Sequence, residues 1–300
     1  MYKSSAASDV YKRQISGRLL DPAMSCTALA QYGFRLMGAP AGGIGPPLAG
    51  ISSSIKKIHT EDELQHMFAR LSAEKVISLD AGNERIWVNL DFGSRKLIME
   101  YVLLLAHCQG LFEQFTAPIA KDSRLPSASM KERLDYLTTP YLSKQVDDLS
   151  SIDLLEAADI RKLSYASRVL LQNIEMSVRA ISKIDPHPQF ISFTMNSIYG
   201  KIGIFGYGDD TIKGDYTVLI NLAGNDVYTG SFASPAINKS AIGILIDADG
   251  DDKYIAGPDD HIASGAMGAG IMIDLRGDDV YVSENEGLAS AIYGYSLIWD

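Results

Sequence analysis

Carboxylate side chains recur at a regular interval in the last third of this sequence, and they are its best candidates for chemistry. The first set stands two positions after a glycine and comprises Asp226, Asp252 and Asp279. The second set stands three positions before the same glycines and comprises Asn221, Asp247 and Asp274. Because clustered oxygen ligands suit hard cations such as Ca²⁺, the pattern is a candidate metal site.

The acidic positions belong to a longer repeated segment. Its copies are Val218–Tyr228, Ile244–Tyr254 and Ile271–Tyr281, and another begins at Leu297. The glycines of the three full copies stand 26 and 27 residues apart. A period of about 20–50 residues is typical of stacked repeats, in which each unit buries its apolar face against the next.

Each copy predicts a short strand followed by a tight turn. Its three apolar residues are rich in β-branched side chains and too few for a helix, and Asn or Asp with Gly then favours a chain reversal. We therefore predict a parallel β-solenoid, or β-helix, over residues 199–300, with coils of about 26 residues. Like residues would stack about 4.8 Å apart, which would place Tyr228, Tyr254 and Tyr281 in one column. The segment Gly203–Ile212 is interpreted as a shorter first unit.

Stacking in register would bring carboxylates of neighbouring coils close together. At about 5 Å, two such charges repel by roughly 1 kcal/mol in water and roughly 3 kcal/mol at a dielectric constant near 20. A bound Ca²⁺ would convert that repulsion into stabilisation. The candidate metal ligands are Asp226, Asp247, Asp252, Asp274 and Asp279. In the alternative interpretations, each Asp accepts hydrogen bonds from its own turn and binds nothing, or the carboxylates are protonated or hold another ligand.

Two resemblances accompany the repeat. The segments Gly224–Tyr228, Gly250–Tyr254 and Gly277–Tyr281 are similar to half of the G-x-D-x-apolar unit of RTX-type calcium-binding repeats, although RTX units recur about every nine residues. Residues 199–300 also resemble large bacterial tandem-repeat proteins built from Ile-Asp-x-x-Gly-Asp-Asp-x-Tyr coils behind a helical segment. That resemblance implies an extracytoplasmic protein, secreted or bound to the cell envelope, and it brings no catalytic residues.

Charge and hydropathy exclude some partners. Residues 196–300 carry 16 acidic and 5 basic residues, whereas the rest of the chain carries 21 and 22. Binding to phosphate backbones needs clustered Lys and Arg, so we expect no nucleic-acid partner. The most apolar stretch, Leu97–Phe112, is shorter than the roughly 20 residues that span a bilayer, and it predicts a buried helix rather than a transmembrane segment. Cys26 and Cys108 predict neither a disulfide framework nor a zinc site.

The region before the repeats predicts a helical domain over residues 55–185. Helices are expected from Thr60, where a capping box begins, and over 94–115, 129–137 and 153–183, with a weak strand at Ile86–Leu90. Residues 15–54 are rich in Gly, Pro, Ala and Ser and read as a linker. Residues 1–14 resemble translated sequencing-adaptor sequence and are set aside. The predicted class is therefore α+β with several domains, and we expect a fragment truncated at its C-terminus.

Catalytic motifs are missing from the sequence. The histidines His59, His66, His107, His187 and His261 form no H-x-x-x-H pair, and no G-x-S-x-G segment occurs. The acidic residues follow the repeat, which favours a scaffold over a catalyst. We expect a non-catalytic scaffold whose acidic surface binds a polysaccharide or another surface protein. The alternatives are the non-catalytic part of a larger carbohydrate- or peptide-processing enzyme, and a polysaccharide-active β-helix enzyme.

Overall fold

The helices precede most of the strands, and the strands are mostly parallel, which confirms the α+β class. The computed structural model describes residues 58–120, 160–181, 192–214, 216–235, 240–258, 260–266, 268–284, 288–292 and 294–300. The predicted segments 1–14, 15–54 and 129–137 lie outside the described residues. The predicted domain boundaries stay predictions, while the helices and the largest sheet share one hydrophobic core.

The described residues contain four helices. They are α1 Glu61–Ala73, α2 Asn83–Asn89, α3 Phe92–Ala120 and α4 Ile160–Ile181. The predicted capping box opens α1: Thr60 Oγ1 accepts from Glu63 N at 3.2 Å, and Glu63 Oε2 accepts from Thr60 N at 3.3 Å. Two backbone donors of the first turn are thereby satisfied, which fixes where the helix begins.

The predicted strand at Ile86–Leu90 is wrong, because these residues belong to α2 and its C-cap. Trp87 is buried and its ring stacks on Phe68 with centroids 4.6 Å apart, whereas the neighbouring Val88 is 73% exposed. A short run of Ile, Trp and Val favours a strand only weakly. Burial of one large ring against α1 outweighs that preference.

Thirteen strands are described. Their bounds are β1 Ile77–Ser78, β2 Phe193–Ser197, β3 Gly200–Phe205, β4 Thr211–Lys213, β5 Val218–Asn221, β6 Val227–Thr229, β7 Ile242–Asp247, β8 Lys253–Ala256, β9 Gly265–Ala266, β10 Ala269–Asp274, β11 Val280–Ser283, β12 Ala291–Ile292 and β13 Tyr295–Trp299.

The strands form three separate sheets. The largest has the order β1-β2-β3-β5-β7-β10-β13, is antiparallel as far as β3 and parallel from β3 onward. The second has the order β11-β8-β6-β4 and is parallel throughout, and β9 pairs with β12 in the third. The predicted solenoid stays a prediction, because the strand pairing defines three separate sheets and not a closed coil.

We use the word rung for one strand of the seven-stranded sheet together with the turn and the four-stranded-sheet strand that follow it. Rung 1 is β5 with β6, rung 2 is β7 with β8, and rung 3 is β10 with β11. Asp247 pairs with Asn221 on one side and with Asp274 on the other, so the rungs are in register at the predicted interval. In the shorter first unit, β4 leads directly to β5, as the spacing predicts.

The apolar strand of each rung is buried on both faces. Val218 and Ile220 belong to the core shared with the helices, whereas Leu219 packs in a second core with Tyr228. Side chains alternate along a strand, and a parallel sheet covered on both faces therefore needs an unbroken apolar run. Helix α3 packs on β3 and β7, and its Gln109 Oε1 accepts a hydrogen bond from Ala241 N at 3.0 Å.

Candidate functional site

The acidic residues lie in the turns that join the seven-stranded sheet to the four-stranded sheet. Each turn contains a glycine with positive φ: 129° at Gly224, 150° at Gly250 and 149° at Gly277. A Cβ atom on Gly250 would lie only 1.7 Å from the carbonyl oxygen of Gly224. Glycine is thus required both for the backbone conformation and for the close approach of neighbouring turns.

An exposed ladder runs along the outside of these turns. Asp209 Oδ1 accepts from Asn225 N at 2.8 Å, and Asn225 Oδ1 accepts from Asp251 N at 2.9 Å. Asp251 Oδ1 in turn accepts from Asp278 N at 3.0 Å. Each of these side chains therefore reaches forward to the backbone of the next rung. The four residues are exposed to solvent.

A buried ladder of opposite direction lies one residue further along each turn. Asp226 Oδ1 accepts from Asp210 N at 2.5 Å, and Asp252 Oδ1 accepts from Asp226 N at 2.6 Å. Asp279 Oδ1 accepts from Asp252 N at 2.7 Å. These side chains reach backward to the preceding rung. The alternative in which each Asp bonds its own turn is thus wrong for this column, because the acceptors serve amides of the neighbouring turn.

The predicted aromatic column is confirmed. Tyr228 stacks on Tyr254 with centroids 4.6 Å apart, and Tyr254 stacks on Tyr281 at 4.9 Å, with interplanar angles of 12° and 10°. Their hydroxyl groups point at the second acidic column. Tyr228 donates to Asp247 Oδ2, and Tyr254 donates to Asp274 Oδ2 at 2.7 Å. Rings and carboxylates of successive rungs are therefore linked through hydrogen bonds.

Two groups of three carboxylates result, and both could hold a metal ion. In the first cluster, oxygens of Asp226, Asp247 and Asp252 lie within 4.8 Å of one another. In the second cluster, oxygens of Asp252, Asp274 and Asp279 do the same. All five residues that the sequence indicates as metal ligands are thus brought together, with Asp252 common to both clusters. Nothing in the donor set by itself identifies calcium.

These carboxylates are inside the protein and not on its surface. Asp226 and Asp247 are 0% exposed, Asp274 is 1% exposed and Asp252 is 2% exposed, whereas Asp279 is half-buried. The exposed acids of the repeat are instead Asp209, Asp249, Asp251 and Asp278. The sequence thus contains two different acidic features, one buried and one exposed.

Burial makes the ionised form of the inner carboxyls unfavourable. Desolvation, followed by the charge of Asp252, raises the pKa of Asp247 well above its ordinary value. Desolvation also raises the pKa of Asp226 to about 7 and that of Asp274 to about 7. A buried carboxyl group therefore keeps its proton unless a cation compensates the charge of the ionised form.

Several inner oxygens lack an ordinary hydrogen-bond donor. Among the described residues, no N–H or hydroxyl group donates to Asp252 Oδ2, Asp274 Oδ1 or Asp279 Oδ2. We call these three atoms the open oxygens. A buried acceptor without a donor costs about 1–3 kcal/mol, and all three atoms belong to residues of the second cluster.

The first rung differs, because Asn221 stands where the later rungs have Asp. Its amide nitrogen donates to Asp226 Oδ2 at 2.5 Å and to the Tyr228 hydroxyl at 2.9 Å. An amide thus supplies the hydrogen that a carboxylate cannot. The sequence contains this difference, but its effect on Asp226 follows only from the folded structure.

Other candidates are weaker. His107 lies on α3 and His261 follows β8, and each has a buried ring nitrogen that meets no hydrogen-bond partner within the described part of the chain. An open groove of about 310 Å³ lies between α3 and α4, lined by Leu97, Tyr101 and Met176 among others. The sequence did not indicate this groove. Its lining comes from helices separated by many residues along the chain.

Comparison with known proteins identifies no family, so the fold and the site alone define the class of this protein. No protein-family model matches the chain, and neither a curated protein nor a solved structure does. Among the described helices, none is long and apolar enough to cross a membrane. The fold and site define an α+β protein whose parallel strands repeat in register and bury two acidic clusters.

Proposed function

We propose that residues 199–300 form a parallel β-solenoid that acts as a non-catalytic scaffold outside the cytoplasm. In this proposal its acidic surface binds a polysaccharide or another surface protein, and Ca²⁺ stabilises its coils. The observation that carries the proposal is the shared register of two sheets. Asn221 pairs with Asp247 in one sheet while Tyr228 pairs with Tyr254 in the other.

A third line of parallel pairing supports the coil interpretation. Phe232 forms a bridge with Ile262, and Ile262 forms one with Leu288. Each repeat therefore meets its neighbours along three lines, which are the seven-stranded sheet, the four-stranded sheet and these bridges. Pairing along these three lines at intervals of 26 to 30 residues is typical of stacked repeats and supports the solenoid proposal.

The buried acids favour a structural role over a catalytic one. A general acid or base must reach a substrate, and Asp226, Asp247 and Asp274 are almost fully buried. Their partners are backbone amides and tyrosine hydroxyls of neighbouring rungs. These contacts recur with the repeat, as the contacts of a scaffold would.

The exposed acids supply the binding surface in this proposal. Asp209, Asn225, Asp251 and Asp278 follow one another along a single edge. The exposed Asp249 pairs with Arg276 of the next rung at 3.5 Å. Asp251 and Asp278 lie one rung apart, about 4.8 Å, and Asp209 lies two rungs before Asp251, so the edge carries a row of negative charge that the neutral Asn225 interrupts once. Such a row suits a partner with regularly spaced cationic groups.

Retention on chitosan beads at low ionic strength tests this surface. We expect the combined change Asp249→Asn, Asp251→Asn and Asp278→Asn to abolish retention, because it removes three charges. The amide at position 251 keeps an oxygen that can accept the cross-rung hydrogen bond from the backbone N–H of residue 278. The matched control is Asp62→Asn with Glu74→Gln and Glu84→Gln, which removes three exposed charges from the helices and should leave retention unchanged.

Two results would contradict the proposed function. One is equal loss of retention in both triple variants, since that would show a response to net charge alone. The other is release of soluble sugars from a polysaccharide by the purified protein, which would show catalysis.

A further inference from the structure

The two acidic clusters differ in how many of their oxygens are already engaged. In the first cluster, Asp226 Oδ2 accepts from the amide of Asn221 at 2.5 Å. Asp247 Oδ1 accepts from Asp249 N at 3.3 Å, and its Oδ2 accepts from the Tyr228 hydroxyl. Only the oxygen contributed by Asp252 is open there.

The second cluster contains all three open oxygens. They are contributed by Asp252, Asp274 and Asp279, and the first two residues are 2% and 1% exposed. Asp279 is half-buried, so the cluster has one side that solvent and ions can reach. Each of these carboxyl groups accepts a hydrogen bond at its other oxygen, so one oxygen of each is left without a donor.

We propose that one hard divalent cation of the calcium class binds at Asp252, Asp274 and Asp279, and that the first cluster stays free of metal. This inference deepens the calcium-stabilised scaffold proposed above and rests on it. A divalent cation would compensate most of the charge of three carboxylates, and one oxygen from each of them lies within 4.8 Å of the others. The ligands are all oxygens, which favours Ca²⁺ over zinc or copper.

Shared protons are the competing arrangement. One proton could bridge Asp247 and Asp252, and another could bridge Asp274 and Asp279, since each pair lies within hydrogen-bonding distance. Asn221 bears on this choice. The Asn221 amide donates a hydrogen bond to Asp226 without taking up a proton. A hydrogen bond between the two columns therefore does not require Asp at positions 247 and 274. Asp274, unlike Asn221, adds a negative charge that attracts a cation.

The test is equilibrium dialysis of the chelator-treated full chain against Ca²⁺, with Mg²⁺ and Zn²⁺ in parallel. We expect one Ca²⁺ per chain and weaker binding of the other two ions. Asp274→Asn should lose the ion, because the new amide would donate to Asp279 as Asn221 does to Asp226. The matched control Asp251→Asn, one position from the cluster on the exposed ladder, should still bind one Ca²⁺.

Circular dichroism of metal-free Asp274→Asn should match that of the parent chain, which would show that lost binding is not lost folding. An absence of Ca²⁺ binding by the parent chain would overturn the inference, as would equal loss in both variants. If Ca²⁺ does not bind while chitosan retention still depends on the exposed ladder, the cation site and the calcium part of the proposed function fail, and the proposed binding scaffold stands. If retention fails while one Ca²⁺ binds, the reverse holds.

Discussion

The hydroxyl of Tyr254 in rung 2 donates to Asp274 Oδ2 in rung 3 at 2.7 Å. This contact joins the aromatic column to an acidic column across two rungs. Tyr254 Oη also lies 3.3 Å from Asp247 Oδ2 of its own rung. One hydroxyl proton cannot serve both carboxylates fully, which leaves this part of the interior short of donors.

We expect Tyr254→Phe to lower the free energy of unfolding by about 1–3 kcal/mol, because Asp274 would lose a buried donor while the ring stack remains. Urea denaturation measures the change. Tyr281→Phe is the control, since its hydroxyl is 3.5 Å from Asp274 and its side chain is only half-buried. An equal loss in the two variants would contradict the interpretation.

Gly250→Ala should destabilise the chain by more than about 2 kcal/mol, because strained backbone with positive φ and a steric clash act together. The added Cβ would lie 1.7 Å from Gly224 O, at a φ of 150°. Gly110→Ala provides the comparison. Its Cβ meets nothing within 4 Å on α3, and it should raise stability by up to about 1 kcal/mol. Thermal unfolding of both variants would show the difference, and a tolerated Gly250→Ala would count against the close contact of neighbouring turns.

Stability of the metal-free chain should fall as pH rises from 5 to 8. Burial raises the pKa of Asp226 and of Asp274 to about 7 from a usual value of 3.8, so the folded state binds more protons than the unfolded state between those values. That stabilisation is complete below the unfolded pKa and is lost as pH passes the folded pKa. Urea denaturation in the presence of a chelator measures it.

Added Ca²⁺ should oppose the loss at pH 8 and have little effect at pH 5, where protons compete for the same oxygens. Metal-free stability that rises between pH 5 and pH 8 would contradict the burial of these carboxyls in an uncompensated state.

Asn221→Asp should raise the number of bound Ca²⁺ from one to two per chain. The change removes the amide that engages Asp226 Oδ2 and so makes the first cluster resemble the second. Asn225→Asp adds the same charge to the exposed ladder and should leave the number at one. Equilibrium dialysis separates the outcomes, and two ions in both variants would point to a charge effect alone.

Much of the repeat could be predicted from the sequence, because its geometry follows from residue types at fixed spacing. Two signals were enough. The regular interval between the glycines predicted the turns, and the Tyr four positions after each glycine predicted the aromatic stack. The burial of Asp226 and Asp274 could not be predicted, because it depends on which face of the chain turns inward beyond the glycine. The opposite directions of Asp251 and Asp252 have the same origin, since adjacent side chains point to opposite sides.

Outside the repeat, the sequence predicted less. Ile86–Leu90 was expected as a strand because local preference was the only available signal, whereas contact of Trp87 with Phe68 decides its structure. The groove beside Tyr101 and Met176 is formed by two helices that packing alone brings together. Neither contact has a periodic signature along the chain.

Direct stacking of equivalent residues in successive rungs is the arrangement on which both proposals rest. Spin labels at Lys253 and Val280 test it, since these exposed residues pair between β8 and β11. In a background in which Cys26 and Cys108 are replaced by Ser, we expect strong dipolar broadening from this pair, one rung or about 4.8 Å apart. Labels at Thr211 and Val280, three rungs or about 14 Å apart, should broaden far less. Equal broadening in the two pairs, or none at Lys253 and Val280, would contradict the stacking.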